Sequence, residues 1–262
     1  MPRGMTRFTL LALALSAMAA LATAPASARS FDPEVLWKIV HGKCAPDEAT
    51  KRDPSPCLAV DLSRGDAVLK DRNGATQVLV IPTERATGIE SRVVLGPAGV
   101  RYIQDAWRAH RFVEKLAGRP IPRDDLGLAV NSMDGRTQNQ LHIHVDCLRA
   151  DVKAALATAS PSLGDAWTTL PLAGHAYRAR RLSADDLGRL NLFRLIAASD
   201  PAARANMGLE TMVVAAATFP GGVPGFVLLN DRSDPEAGDY ASGEELQDHT
   251  CQLLQPTAQP SR

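Results

Sequence analysis

The spacing of apolar residues along the chain predicts helices that alternate with antiparallel strands. Residues 31–43 and Val100–Ala117 place apolar side chains at helical spacing, so each segment predicts one helix. Asn73-Gly74 separates the apolar runs Ala67–Lys70 and Gln77–Ile81, which is typical of a β-hairpin. The pattern therefore favours an antiparallel sheet with packed helices, an α+β protein.

The second half of the chain shows a similar succession of elements. Strands are predicted at Leu126–Val130, Leu141–Leu148, Ala176–Leu182, Thr211–Thr218 and Gly225–Asn230, and helices at Asp185–Ala197 and Glu244–Leu254. A β-β-α-β-β order in residues 29–150 is thus followed by a second α+β unit in residues 151–262. This succession raises the hypothesis of a degenerate internal duplication, and the lack of a low-complexity linker predicts tight packing.

The N-terminus carries the features of a secretory signal peptide. Arg3 and Arg7 precede an apolar stretch, and Ala26-Ser27-Ala28 is the small-x-small pattern that signal peptidase accepts. We therefore predict a signal peptide over residues 1–28. The alternative is an uncleaved anchor in the inner membrane, since about 20 apolar residues suffice to span a bilayer. Both interpretations predict an exported, periplasmic protein.

The net charge of the chain without its predicted signal bears on whether it binds nucleic acid. Removal of residues 1–28 takes away two arginines and leaves 27 basic against 29 acidic side chains. A surface that binds nucleic acid normally has a basic excess. Nucleic acid is therefore not an expected partner.

The four cysteines all lie beyond the predicted signal, where an even number is typical of disulfides. They allow three pairings, of which we favour Cys44–Cys57 and Cys147–Cys251. Free buried cysteines are the alternative. A zinc site built from cysteine is not expected, because the chain has no Cys-x-x-Cys pair.

The segment 140–144 is the main candidate for catalysis. Side chains alternate along a strand, so Gln140, His142 and His144 are predicted to share one face with Asp146. The upstream turn offers backbone N–H groups and polar side chains to an anion over that face. Its candidate binding residues are Asn131, Arg136, Thr137, Gln138 and Asn139.

A second candidate is the predicted strand at residues 174–181. His175 and Tyr177 share one face, and Arg180 lies on the other, where arginine could hold a second phosphate. A solvated basic edge strand is the alternative. His249 is predicted on the last helix in a structural role.

These motifs together resemble a known family. A helix, a strand ending in Asn131, a Gly-x-Thr turn and the His-x-His of 142–144 resemble the histidine-triad superfamily. Within it, the export signal and the segments 54–57, 135–139, 142–144, 174–181 and 247–251 resemble the bacterial CDP-diacylglycerol pyrophosphatase family. The resemblance covers essentially the whole mature chain.

The resemblance implies hydrolysis of CDP-diacylglycerol to CMP and phosphatidate, without cofactor or metal, by a protein that works at a membrane surface. His142 would be the nucleophile and His144 its support. Gln140 replaces the first histidine of the triad and cannot carry a proton. Phosphatidate needs little acid help, because the second pKa of a phosphate monoester is about 6.

Two other hypotheses remain open from the sequence. His142, His144 and Asp146 could bind zinc in a metal-dependent hydrolase. Alternatively, the loss of the first histidine could leave a nucleotide- or lipid-binding protein without turnover.

Overall fold

The structure is a computed structural model of the protein that describes residues 32–254. The predicted signal peptide, residues 1–28, and Phe31 at the start of the predicted N-terminal helix lie outside the described residues. Across residues 32–254, every helix is too short or too polar to cross a membrane.

The described strands form one ten-stranded antiparallel sheet, which confirms the α+β class. The strands are β1 (Ala59–Asp61), β2 (Asp66–Lys70), β3 (Val78–Pro82), β4 (Leu126–Val130), β5 (Ile143–Leu148), β6 (Thr168–Leu172), β7 (His175–Ser183), β8 (Glu210–Phe219), β9 (Val223–Arg232) and β10 (Gln247–Asp248). Their order across the sheet is β1-β2-β3-β5-β4-β8-β9-β7-β6. The short strand β10 pairs with the C-terminal end of β5.

Two helices precede β1, and the others lie in the connections between later strands. The helices are α1 (Val35–Ile39), α2 (Ala45–Lys51), α3 (Pro97–Arg108), α4 (His110–Ala117), α5 (Ala150–Ala159), α6 (Asp186–Arg189), α7 (Leu192–Ser199) and α8 (Pro201–Ala205). The first hairpin, β2-β3, is followed by α3 and α4 and then by β4 and β5. The second hairpin, β6-β7, is followed by α6 to α8 and then by β8 and β9. Because β4 pairs with β8, the two equivalent sets meet at the centre of one continuous sheet.

The two faces of the sheet are covered differently. One face packs against α3, α4 and α7, and the odd-numbered residues of β5, such as Ile143 and Val145, are buried there. The opposite face carries two separate apolar clusters, one beneath α1 and the turn Val40–Cys44 and the other beneath α5. His144 is paired with Leu79 of the first cluster and with Ala129 of the second. His144 and Asp146 therefore occupy a polar gap between two apolar patches, while Leu148 belongs to the second patch.

The sequence patterns placed several helix ends incorrectly. The N-terminal helix extends to Lys51 through the π-helical turn Val40–Cys44. The predicted helix Val100–Ala117 is interrupted at Ala109, where His110 Nδ1 donates to the Trp107 carbonyl that the next turn would otherwise use.

The predicted helix Asp185–Ala197 is also two helices. Its second part begins at Asn191, whose side chain caps α7 by accepting from Arg194 N and donates to two carbonyls of the 94–96 turn. Four elements were not predicted, because they are short, exposed or rich in alanine: β1, β6, α5 and α8.

The prediction of a helix over Glu244–Leu254 is wrong. Residues 243–246 form a 3₁₀ turn, and Gln247–Asp248 add a strand to the C-terminal end of β5. Both disulfides of the favoured pairing are confirmed, Cys44–Cys57 and Cys147–Cys251. The second disulfide joins Cys251 to β5. Because this bond and the strand pairing hold the segment against β5, residues 247–248 are extended and not helical.

Candidate active site

His142 and His144 lie side by side at the start of β5. The strand begins at Ile143, later than the predicted Leu141, and His142 directly precedes it. The two rings are 4.9 Å apart between centroids, and the side chains are buried, with exposures of 8% and 4%. Because side chains alternate along β5, both rings face the polar gap while Leu141 and Ile143 enter the core.

The tautomer of His142 follows from its hydrogen bond. Its Nδ1 lies 2.7 Å from the backbone carbonyl of Gln140, which can only accept, so Nδ1 carries the hydrogen. Burial and the positive charge of neighbouring His144 lower the pKa of His142 to about 3. The ring is therefore neutral at ordinary pH, with the lone pair on Nε2. A nucleophilic imidazole requires this form.

Glu244 contacts the second histidine of the pair, His144, and was not predicted as a site residue. Its Oε2 lies 2.9 Å from His144 Nδ1, and its backbone N–H donates to Asn131 Oδ1 at 3.2 Å. Burial raises the pKa of Glu244, but the hydrogen bond and charge of His144 outweigh that effect and bring the pKa down to about 2. The carboxylate therefore orients the His144 ring at all ordinary pH values.

Asp146 is the third polar residue on this face of β5, and it is fully buried. Its Oδ1 accepts hydrogen bonds from Thr76 Oγ1 and from the backbone N–H of Cys147. Its Oδ2 lies 2.9 Å from His249 Nδ1, and this contact raises the pKa of His249. His249 thus lies beside the histidine-bearing face, in the turn that follows β10 and not on a helix.

Residues 239–251, which we call the C-terminal strap, carry Glu244 and His249 across the sheet. Gly243 packs so closely on β4 and β8 that a Cβ there would lie 2.7 Å from a methyl group of Val213. Gln247 Nε2 donates to the carbonyls of Gly127 and His144. Close backbone approach and these bonds determine where the carboxylate of Glu244 lies.

Gln140 has a different position from the one predicted. It precedes β5 and is fully buried, and its side-chain amide forms hydrogen bonds with backbone groups of the protein. Its Nε2 donates to the carbonyls of Pro82 and Glu84, and its Oε1 accepts from Ala86 N. The side chain therefore holds the 82–86 loop and has no free amide hydrogen for a substrate. Its backbone carbonyl is the group that orients His142.

The predicted anion-binding turn is partly occupied by contacts within the protein. Both terminal nitrogens of Arg136 pair with Glu90 at 2.7 and 2.8 Å. Gln138 binds the start of α1, and the backbone N–H of Asn139 donates to the Pro33 carbonyl. Thr137 is exposed. The turn therefore supports α1. Asn131 and Thr137 are the side chains that best fit the predicted role in anion binding.

The predicted second phosphate site is not assembled. Tyr177 donates to Glu245 Oε1 at 2.6 Å, and His175 Nδ1 lies 2.5 Å from Asp239 Oδ2. These acidic partners would repel a phosphate. Arg180 alternates to the opposite face of the sheet from Tyr177 and lies over Trp167. The prediction that these residues bind the second phosphate is therefore not supported.

A zinc site at the histidine pair is not supported either. Among residues 32–254, two groups have the spacing of metal ligands: Asp146, Cys147 and Cys251, and His175, Asp231 and Asp239. The cysteines of the first group are joined in a disulfide. His142 and His144 belong to neither group.

Comparison with known proteins decides the family. A sequence model described as CDP-diacylglycerol pyrophosphatase matches residues 31–255. The chain belongs to the CDP-diacylglycerol pyrophosphatase family. It is also similar to the CDP-diacylglycerol pyrophosphatase of Yersinia pestis, with 44% identity over 228 residues that cover 86% of this chain and 87% of that protein. This member of the CDP-diacylglycerol pyrophosphatase family is therefore a hydrolase, and its two disulfides indicate export.

Proposed function

We propose that the protein hydrolyses the pyrophosphate bond of CDP-diacylglycerol to CMP and phosphatidate through a nucleotidyl-histidine intermediate on His142. Family membership supports the substrate. The mechanism rests on one observation, the buried and neutral ring of His142 whose Nδ1–H is held by the Gln140 carbonyl. That bond leaves Nε2 as the nucleophilic atom.

In the first step, the Nε2 lone pair forms a bond to the cytidine-linked phosphorus. The bond from that phosphorus to the bridging oxygen breaks, and its electron pair leaves with phosphatidate. The ring then carries phosphorus on Nε2 and hydrogen on Nδ1, so it is positively charged. The Gln140 carbonyl lies 2.7 Å from Nδ1 and stabilises that charge.

In the second step, water attacks the same phosphorus and the P–N bond breaks. The electron pair returns to Nε2, CMP departs, and the water proton is released to solvent. His142 is thereby restored to its neutral form. Phosphatidate leaves without prior protonation because its second pKa is about 6.

His144 is proposed to bind the phosphoryl group during both steps. Its Nδ1 faces Glu244, and its buried Nε2 has no hydrogen-bond partner within residues 32–254. A buried polar atom without a partner costs about 1–3 kcal/mol, which a phosphoryl oxygen would recover. Asn131 and Thr137 are proposed to contact the remaining oxygens.

The second half of the chain is proposed to be a degenerate copy without catalytic residues, in a fold of the histidine-triad type. β9 has the place in the second half that β5 has in the first. On the face that carries His144, β9 presents Leu229, which pairs with Val213. No histidine occurs in β9, so we expect one catalytic site per chain.

We further propose that the enzyme acts in the periplasm at a membrane surface, where its lipid substrate resides. The predicted signal and the two disulfides support export. The mass of the mature N-terminus distinguishes cleavage after Ala28 from retention of an anchor.

The decisive experiment measures product release and the intermediate together. Purified protein is mixed with CDP-diacylglycerol labelled in the cytidine-linked phosphate and quenched within milliseconds under alkaline denaturing conditions, which preserve a phosphoramidate. We expect labelled protein in the wild type, and neither label nor CMP with His142→Ala. His41→Ala is the matched control, because that histidine is exposed on the N-terminal helix.

Full activity of His142→Ala without labelled protein would refute the covalent mechanism. Binding of CDP-diacylglycerol without release of CMP by the wild type would instead favour a binding protein.

A further inference from the structure

A second cluster of polar side chains lies on β9 and β7, which are the third and fourth strands from β5 in the sheet order. His175 begins β7, Asp231 lies near the end of β9, and Asp239 begins the C-terminal strap. The cluster therefore joins His175 to two aspartates that follow it by more than fifty residues and lie on either side of one turn.

The spacing within this cluster suits a cation. His175 Nδ1 lies 2.5 Å from Asp239 Oδ2 and 3.8 Å from Asp231 Oδ2. The candidate ligand atoms of all three residues lie within 4.8 Å of one another. Donor atoms around a tetrahedral zinc are about 3.3 Å apart, given bonds of roughly 2.0 Å. Small side-chain adjustments would bring the three atoms to that spacing.

Asp231 supplies independent evidence for a positively charged ligand. Its Oδ2 is buried and has no hydrogen-bond partner within residues 32–254, and the side chain is only 10% exposed. A buried carboxylate oxygen without a partner is unfavourable, and the hydrogen of His175 is nearer to Asp239.

The surroundings of His175 also resemble those of a metal ligand. Its second ring nitrogen, Nε2, lies 3.9 Å from Glu245 Oε2. Glu245 is itself held by the Tyr177 hydroxyl, which donates to its other carboxylate oxygen at 2.6 Å. A carboxylate behind the ring is the usual device that orients a metal-binding histidine. At 3.9 Å the Glu245 carboxylate is beyond hydrogen-bond distance, so it acts on the His175 ring through its charge.

We propose that His175 Nδ1, Asp231 and Asp239 bind one divalent transition-metal cation, for which Zn²⁺ is the natural probe. One imidazole nitrogen and two carboxylate oxygens are a ligand set that zinc accepts, with water in the remaining position. The bound cation would hold the strap to β7 and β9. Since the strap also carries Glu244, the cation would help to maintain the contact between Glu244 and His144.

Binding must displace the proton of His175. A metal ion binds the deprotonated imidazole nitrogen, and in the metal-free protein that nitrogen contacts the Asp239 carboxylate. The affinity for zinc is therefore expected to increase with pH, and binding releases protons into a weakly buffered solution.

The test uses the full mature protein without an affinity tag, with both disulfides intact, after removal of metal by a chelator. Zn²⁺ is titrated in competition with a chromophoric chelator, and proton release is followed in parallel. The wild type should bind one zinc per chain. At free zinc about one hundred times the dissociation constant, Tm should rise by roughly 5–10 °C.

Asp231→Asn and Asp239→Asn should each weaken binding at least tenfold. Glu236→Gln is the matched control, because it removes an exposed carboxylate from the same loop and should bind zinc like the wild type. The metal-free Asp231→Asn protein should be at least as stable as the wild type, because it loses a buried charge without a partner. Poor folding therefore cannot explain its loss of binding.

Two results would overturn the proposal: no stoichiometric binding at micromolar Zn²⁺, or equal affinity in both aspartate variants and the control. Neither result bears on the covalent mechanism at His142, which is measured separately.

Discussion

Replacing Glu244 by glutamine removes the negative charge beside His144 while preserving the shape of the side chain. The carboxylate lies 2.9 Å from His144 Nδ1, and its pKa falls from a reference value of 4.5 to about 2. At about 1.4 kcal/mol per pKa unit, this shift corresponds to roughly 3 kcal/mol of stabilisation. Because the side chain is 33% exposed, solvent screening reduces the expected loss in Glu244→Gln to about 2 kcal/mol.

The stabilisation that Glu244 contributes depends on pH in a definite direction. A carboxyl group with a lowered pKa in the folded state stabilises the protein fully above its unfolded pKa, near 4.5. The stabilisation is lost as the pH falls toward the folded value of about 2. The difference between wild type and Glu244→Gln should therefore shrink as the pH falls below 4.5.

Urea unfolding followed by tryptophan fluorescence at pH 7, 5.5, 4 and 3 measures this difference. Glu236→Gln, which removes an exposed carboxylate, serves as the control. If Glu244→Gln were as stable as the control at pH 7, or equally destabilised at every pH, the argument from the His144 contact would fail. We also expect a lower kcat in Glu244→Gln, because His144 loses the group that orients it.

Two further predictions concern the supports of the site. Gln140→Ala leaves two carbonyls and one N–H of the 82–86 loop without partners, so we expect a stability loss of about 2–4 kcal/mol in urea unfolding. Gln104→Ala, which loses a single exposed bond, should cost much less. Asp146→Asn removes the partner that raises the pKa of His249, so an NMR titration of its ring should move to lower pH. An unchanged titration would show that Asp146 does not control this histidine.

Most strands could be predicted from sequence because their signals are local. The Asn73-Gly74 turn and the apolar runs beside it located β2 and β3 to within a residue or so. Helix interruptions were missed because they depend on specific hydrogen bonds, such as that from His110 to the Trp107 carbonyl. The final helix was predicted wrongly because residues 247–248 pair with β5 and the nearby disulfide holds the chain there.

Within the site, alternation along one strand was enough to place His142 and His144 together. It was not enough for Gln140, which precedes β5 and whose amide is used by the 82–86 loop. Glu244 gave no local signal, because it lies in a 3₁₀ turn about one hundred residues after its histidine partner. A glutamate near a predicted disulfide would have been the one available hint.

The sequence by itself left three disulfide pairings open, but it determined the α+β class and the side of β5 on which the histidines stand. Each of these depends on short-range periodicity or on residue type. Only the tertiary structure decided which groups face the histidines, which arginines are already paired, and that His175 meets Asp231 and Asp239. Those contacts join residues that are far apart in the sequence, and their geometry is determined by how the whole sheet and its strap pack.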